Sequence, residues 1–150
     1  KDGIDQALND SIDKGTKILG ICLGMQLLGS SSEEDGLTKG LSFFRRKVEP
    51  FHFKAMSNTK VPHIGFNSVR FDEESKLFQN IDKDSDFYFV HSYRMEVDKK
   101  DKGHGTCFYG EEFLASFELD NVFGTQFHPE KSQTNGIQLL RNFLEDIRNI

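Results

Sequence analysis

Cysteine is scarce in this sequence, an excess of positive charge is missing, and long apolar runs are absent. Two cysteines, Cys22 and Cys107, make no disulfide framework, so reduced thiols in a cytoplasmic setting are the simpler expectation. No window approaches the roughly 18 apolar residues that a membrane helix requires. The opening "KDGIDQALND" has neither an initiator methionine nor an apolar signal core, and reads as a helix already in progress. With 19 Lys and Arg against 24 Asp and Glu, the net charge of −5 points away from nucleic acid and anionic membranes as partners. Internal repeats, low-complexity tracts and interdomain linkers are also missing. Residues 1–150 therefore read as one domain, with 36% hydrophobic and 29% charged residues, an ordinary globular balance.

What is present alternates between helical and extended patterns. Ile4, Leu8 and Ile12 recur at four-residue spacing and predict a helix over 4–14, stopped by "KGTK". "TKILGI" reads as a short apolar strand of the buried parallel kind, and a second helix is expected from about Leu23 through Leu28, fading into the polar "SSSEEDG". The middle is loop-rich, with strands expected near "KVEPFHF" and "NSVRF". Aromatic and β-branched residues dominate "DFYFVHSYRMEV", which predicts one strong strand. "DKKDKGHG" predicts a solvated hairpin tip with His104 exposed. "TCFYG", "FLASFEL" and "VFGTQFH" predict three further strands. The closing "NGIQLLRNFLEDIRNI" predicts a helix capped by Asn135, with Ile137, Leu140, Leu144 and Ile147 on one face and Phe143 beside them. This order of elements implies an α/β domain.

Cys22 stands between Gly20 and Gly24, at the seam of the first strand and the second helix. G-x-C-x-G is the cysteine form of the nucleophile elbow, in which glycines relieve collisions around a strained strand-to-helix turn. The helix beginning at Leu23 is expected to lower the thiol pKa, and the Leu23 N–H to donate to an oxyanion. On this motif alone a buried structural thiol competes evenly with a nucleophile, so a base decides. Of the five histidines, His52 and His63 read as surface or packing residues. His128 ends a strand and is followed by Pro129 and Glu130. Residues i and i+2 of an extended segment project to one side, so Glu130 can hold the imidazole and leave its other nitrogen free. Together these residues predict a Cys22–His128–Glu130 triad. Cys107, in a strand with no elbow or His-x-Glu nearby, reads as a packed thiol.

"GICLGMQLL" and "FGTQFHPEKSQ" together resemble the class I, or triad, glutamine amidotransferases. "VPHIGFNSV", "YFVHSYRMEV" and the tail "HPEKSQ" are similar to the histidine-biosynthesis branch, the glutaminase subunits of imidazole glycerol phosphate synthases. The resemblance runs across nearly the whole chain in the right order. It implies a flavodoxin-like three-layer α/β fold with a central, mostly parallel sheet. It implies that Cys22 attacks the side-chain amide of L-glutamine, that His128 acts as base and then acid, and that Glu130 orients it. It further implies that Leu23 and Gln26 contact the substrate, Glu34 its ammonium group, and Ser92 and Tyr93 its backbone end. No cofactor and no metal are implied. The partner implied is a (β/α)₈-barrel cyclase that receives the ammonia, in a heterodimer, with Pro62, His63, Phe66 and Asn67 facing it.

Departures from the family pattern set further expectations. Phe66 stands where tryptophan is usual, and Arg94 where a second tyrosine is common. Phenylalanine keeps an aromatic anchor and loses the indole N–H. These changes keep open a paralogous subunit feeding ammonia to surface-sugar amidination, or an inactive partner-docking remnant. The family's first strands and its Pro-Gly-Val-Gly type loop, source of the second oxyanion donor, have no counterpart before Lys1. The expectation is therefore an N-terminally truncated record of a longer protein, since loss of one such donor costs about 10²–10³ in rate.

Overall fold

The helical start forms at Ile4–Asp13 (α1), and the apolar run after it forms the strand Ile18–Ile21 (β1). The chain then turns at Cys22 into a six-residue helix, Leu23–Leu28 (α2). Short strands Ser31–Ser32 (β2), Thr38–Lys39 (β3) and Lys47–Pro50 (β4) follow. Longer ones come next: His63–Phe71 (β5), Ser85–His91 (β6), Tyr93–Met95 (β7), Gly105–Tyr109 (β8), Glu111–Leu119 (β9) and Val122–Thr125 (β10). A 3₁₀ turn at Pro129–Lys131 leads into the final helix, Gln133–Arg148 (α3). This computed structural model describes residues 3–53, 58–98 and 104–148.

Six strands make one sheet in the order β1-β10-β9-β8-β5-β6, and β3-β2-β4-β7 make a second. The α/β layering holds, but the large sheet is mixed. Among the described residues only β1 and β10 pair in parallel within it, from Ile18↔Val122 to Ile21↔Thr125. β8, β9 and β10 are antiparallel because they follow one another through tight turns, a connection that parallel strands cannot use, and β5 pairs antiparallel with both β6 and β8. The strong aromatic run splits at Ser92: β6 closes the large sheet beside β5, and β7 joins β4 in the small one.

Two apolar clusters fill the interior. One gathers Phe78, Phe87, Phe89, Phe113, Phe123, Phe127 and Leu139, and the other Met25, Leu28, Phe44, Val48, Met95 and Phe117. Phe113 and Phe117, four residues apart, would share a face in a regular strand. A register shift against Gly105 and Thr106 inserts a bulge in this pairing and changes the phase of β9, so the two rings enter different clusters.

The last helix starts at Gln133, ahead of Asn135, so Asn135 is not its cap and donates to the Asp86 carbonyl instead. Its inward face is Leu139, Asn142 and Phe143, while Ile137 and Leu144 are exposed. Asn142 turns the helix this way by donating to the carbonyls of Leu77 and Gln79. The side chain of Ile147 and residues 99–103 of the charged turn lie outside the described residues. His104 is half-buried rather than exposed, its ring edge-on to Phe44 at 5.6 Å. Among the described residues no helix is long and apolar enough to cross a membrane.

Candidate active site

The parallel pairing of β1 with β10 brings together the two chain segments that carry the predicted triad. Both strands end at the same level, Ile21 beside Thr125, and the Cys22 N–H donates to the Thr125 carbonyl at 2.7 Å. Ligands of open α/β sheets bind beyond the carboxyl ends of such strands. Cys22 sits there with φ 51° and ψ −106°, a backbone conformation unfavourable for any residue but glycine. Gly20 is needed for this turn, since a Cβ there would lie 2.7 Å from the carbonyl carbon and oxygen of Gly24. Gly24 is different: a Cβ at its own position would meet nothing within 4 Å.

His128 leaves β10 anchored by its N–H on the Tyr88 carbonyl at 2.8 Å. Its Nδ1 lies 2.6 Å from the Glu130 Oε1. An ionised carboxylate can only accept, so this bond puts the proton of the neutral ring on Nδ1 and leaves the Nε2 lone pair free. The Cys22 thiol has Gln126 Nε2 and the Val90 carbonyl each at 3.7 Å from its sulfur. Burial pushes the thiol above its ordinary pKa, and this outweighs the opposing Leu23 N–H and Gln126 amide. The expected depression by the helix start therefore does not hold. Desolvation of a thiolate costs more than two hydrogen-bond donors return.

A cavity of about 420 Å³ opens beside α2, lined by Leu23, Gln26, Leu27, Ser32, Glu34 and Lys39 among others. Among the described residues no group of three or more His, Cys, Asp or Glu is arranged to hold a metal ion.

The family model "Glutamine amidotransferase class-I" matches residues 3–147. Imidazole glycerol phosphate synthase subunit HisH of Chlorobaculum tepidum is 46% identical over 146 residues, covering 97% of this chain and 71% of that protein. The chain belongs to the class I glutamine amidotransferases. The subunit HisH of Acinetobacter baylyi is likewise 46% identical, over 95% of this chain and 69% of its own length. Among solved structures, a glutamine amidotransferase of Thermotoga maritima superposes with a TM-score of 0.55 at 16% identity. That match covers 97% of this chain and 54% of the Thermotoga protein, so this chain spans about half its length. A second crystal structure of a glutamine amidotransferase gives a TM-score of 0.60 at 18% identity, over 95% of this chain and 67% of that one. At such identities these structures speak to the amidotransferase fold alone.

In this amidotransferase, Cys22 directly follows β1 and His128 lies three residues beyond the paired end of β10, with Glu130 on the His128 ring, while Leu23, Gln26 and Glu34 line the cavity beside α2. Ser92 and Tyr93 do not line that cavity; Tyr93 meets Gln26 through its backbone carbonyl, at 3.0 Å from Gln26 Nε2. On β5, Phe66 is 49% exposed and Asn67 is half-buried, and Pro62, just before the strand, is exposed. Phe66 meets Tyr88 edge-to-face at 5.4 Å, so this face adjoins the segment that anchors His128.

His63 is a correction. It is 2% exposed, because strand alternation that turns Ile64 and Phe66 outward turns His63 into the core. There it stacks on Phe89 and Tyr109 and bonds to His91 at 3.0 Å. Sequence reasoning missed His91 and Gln126. Their one signal is a polar side chain at the end of an apolar strand segment, His91 closing "YFVH" and Gln126 just after "VFGT".

Proposed function

We propose that this chain is the glutaminase of an imidazole glycerol phosphate synthase, a single amidotransferase domain that makes ammonia for a barrel cyclase. The observation that carries the reading is the 2.6 Å His128–Glu130 contact after β10, the strand paired with β1, which ends in a cysteine held in a strained elbow. Because burial keeps Cys22 a thiol at rest, its proton has to leave as it attacks. His128 Nε2 takes that proton while the sulfur adds to the side-chain amide carbon of glutamine. The Leu23 N–H faces the sulfur from the first residue of α2 and donates to the oxygen that becomes negative. The imidazolium returns its proton to the departing nitrogen, and ammonia leaves a thioester on Cys22. Water, deprotonated by the same imidazole, then attacks the thioester carbon, the C–S bond breaks to release glutamate, and the imidazolium returns the proton to the Cys22 sulfur. Proton transfer of this kind contributes about 10²–10⁴-fold. Gln26 and Glu34 are suited to hold the glutamine in the cavity beside α2.

Ammonia is largely protonated in neutral water and useless there as a nucleophile, which favours a sealed partner over release. The exposed apolar side chains of β5, Ile64 and Phe66, are the docking face in this reading. The test is glutamate release by the full-length protein expressed with its barrel partner. Wild type is expected to release glutamate and Cys22→Ala to release none above background. Equal release by the two would sink the assignment. Phe66→Ala is expected to weaken barrel association and leave the thermal unfolding midpoint unchanged.

A further inference from the structure

Side-chain amides and imidazoles, joined through the backbone carbonyl of Tyr93, form a hydrogen-bonded line from β5 to the Cys22 sulfur. Asn67 Nδ2 lies 3.1 Å from the Phe108 carbonyl and 3.4 Å from His63 Nε2. His63 Nδ1 is 3.0 Å from His91 Nε2, and His91 Nδ1 is 2.8 Å from the Tyr93 carbonyl. Gln26 Nε2 reaches the same carbonyl and Gln126 Oε1, each at 3.0 Å. Gln126 Nε2 then faces the sulfur at 3.7 Å.

Backbone carbonyls set the sense of every link. The Tyr93 oxygen can only accept, so His91 carries its proton on Nδ1 and offers a lone pair at Nε2. His63 must then donate from Nδ1 and accept at Nε2, where Asn67, itself held by the Phe108 carbonyl, supplies an N–H. On the other side, Gln26 has to present its NH₂ to Tyr93, and its second hydrogen points at Gln126. That forces the Gln126 oxygen toward Gln26 and its NH₂ toward Cys22. Reversing either amide would set two acceptors or two donors face to face in a buried place. Both histidines have to stay neutral for this, and burial lowers His63 to about 3 and His91 to about 4.

We infer that His63 and His91 are positioning residues for the nucleophile: they lock the Tyr93–Gln26–Gln126 arrangement that aims an N–H at the Cys22 sulfur. The inference rests on the reading of Cys22 as the nucleophile. Gln126 is the group that touches the reacting atom. It steadies the thiolate as His128 removes the proton, and the two histidines act through it.

The experiment is alkylation of Cys22 by iodoacetamide across a pH series, in the full-length protein bound to its barrel partner, read by mass spectrometry. Gln126→Ala is expected to slow alkylation at pH 8 about tenfold and to shift the profile to higher pH. His91→Phe keeps a ring against Phe51 and Phe113 but cannot donate to Tyr93. It should slow alkylation to a similar degree, with no further loss when combined with Gln126→Ala. Phe113→Leu loosens the packing around both imidazoles without removing a hydrogen bond, and should alkylate at the wild-type rate. An additive double variant, a wild-type rate in His91→Phe, or equal slowing in Phe113→Leu would overturn the inference. Should His91→Phe fail to fold, Asn67→Ala supplies the cycle from the half-buried end. It should slow alkylation about twofold alone and not at all beside Gln126→Ala, and equal slowing in both backgrounds overturns the inference. Alkylation needs no glutamine, so normal alkylation without glutamate release would refute the glutaminase reading and leave this one standing.

Discussion

Cysteine and histidine occur together in two parts of the molecule, the elbow after β1 and the aromatic interior between β5, β6, β8 and β9. At the elbow, Cys22 is half-buried with two N–H groups aimed at its sulfur, and His128 has a carboxylate on Nδ1 and, among the described residues, no hydrogen-bond partner on Nε2. In the interior, Cys107 is 2% exposed among phenylalanines, and both nitrogens of His63 and His91 are already engaged. Burial raises both thiols, Cys107 to about 12, while only the Cys22 thiolate is met by hydrogen-bond donors. The difference teaches that residue type sets which chemistry is available, and that donor supply and solvent decide where it happens. The interior pair still serves the elbow, as a scaffold rather than as a reactant.

The largest effect that tests this contrast is thiol reactivity. At pH 8 a thiol held at about 12 is thiolate to only about one part in 10⁴, so Cys107 should resist iodoacetamide while Cys22 is labelled. Urea should make both reactive, and peptide mapping distinguishes them. Labelling of Cys107 in the folded protein at the rate of Cys22 would break the comparison. A smaller effect belongs to the interior histidines. Their folded pKa values, about 3 and about 4, lie below the ordinary value of 6.5, so unfolding takes up protons in acid. The stability they contribute is present above pH 6.5 and is lost as pH falls toward those values. The slope is at most about 1.4 kcal/mol per pH unit for each histidine. Urea unfolding at pH 7, 5.5 and 4.5 measures it. Replacing both with phenylalanine should flatten the curve by that amount, and an unchanged slope would remove the histidines from the account.

Legibility in the sequence differs between the same two regions. The elbow and His128–Glu130 were legible because their geometry is local: a glycine two residues before a cysteine, and an acid two residues after a histidine. The helix expected from about Leu23 forms at Leu23–Leu28 for the same reason. The interior could not be read this way. His63 and His91 are neighbours through strand pairing across 28 positions, and Gln26 and Gln126 through 100. Nothing in a period of two or 3.6 residues announces such a contact. The inward face of α3 escaped too, because Asn142, a polar residue, anchors it while Ile137 and Leu144 stay exposed. Net thiol acidity was misjudged where a local rule met a non-local one: donors from α2 are visible in sequence, and the burial that outweighs them is not.

The smallest effect separates the two glycines that the spacing treats alike. At Gly20 an added methyl would press against the Gly24 backbone and Leu28 Cδ1, all at 2.7 Å, and backbone cannot yield without moving the elbow. Gly20→Ala should therefore cost about 1–3 kcal/mol, the usual range for overpacking, and disturb Cys22 with it. Gly24 lies within α2 with open space beside it, so Gly24→Ala should gain up to about 1 kcal/mol from helix propensity. Thermal unfolding of the two variants decides the matter. Opposite signs would assign the steric demand of the elbow to Gly20, and equal losses would mean that α2 has less room at its second residue than the geometry allows.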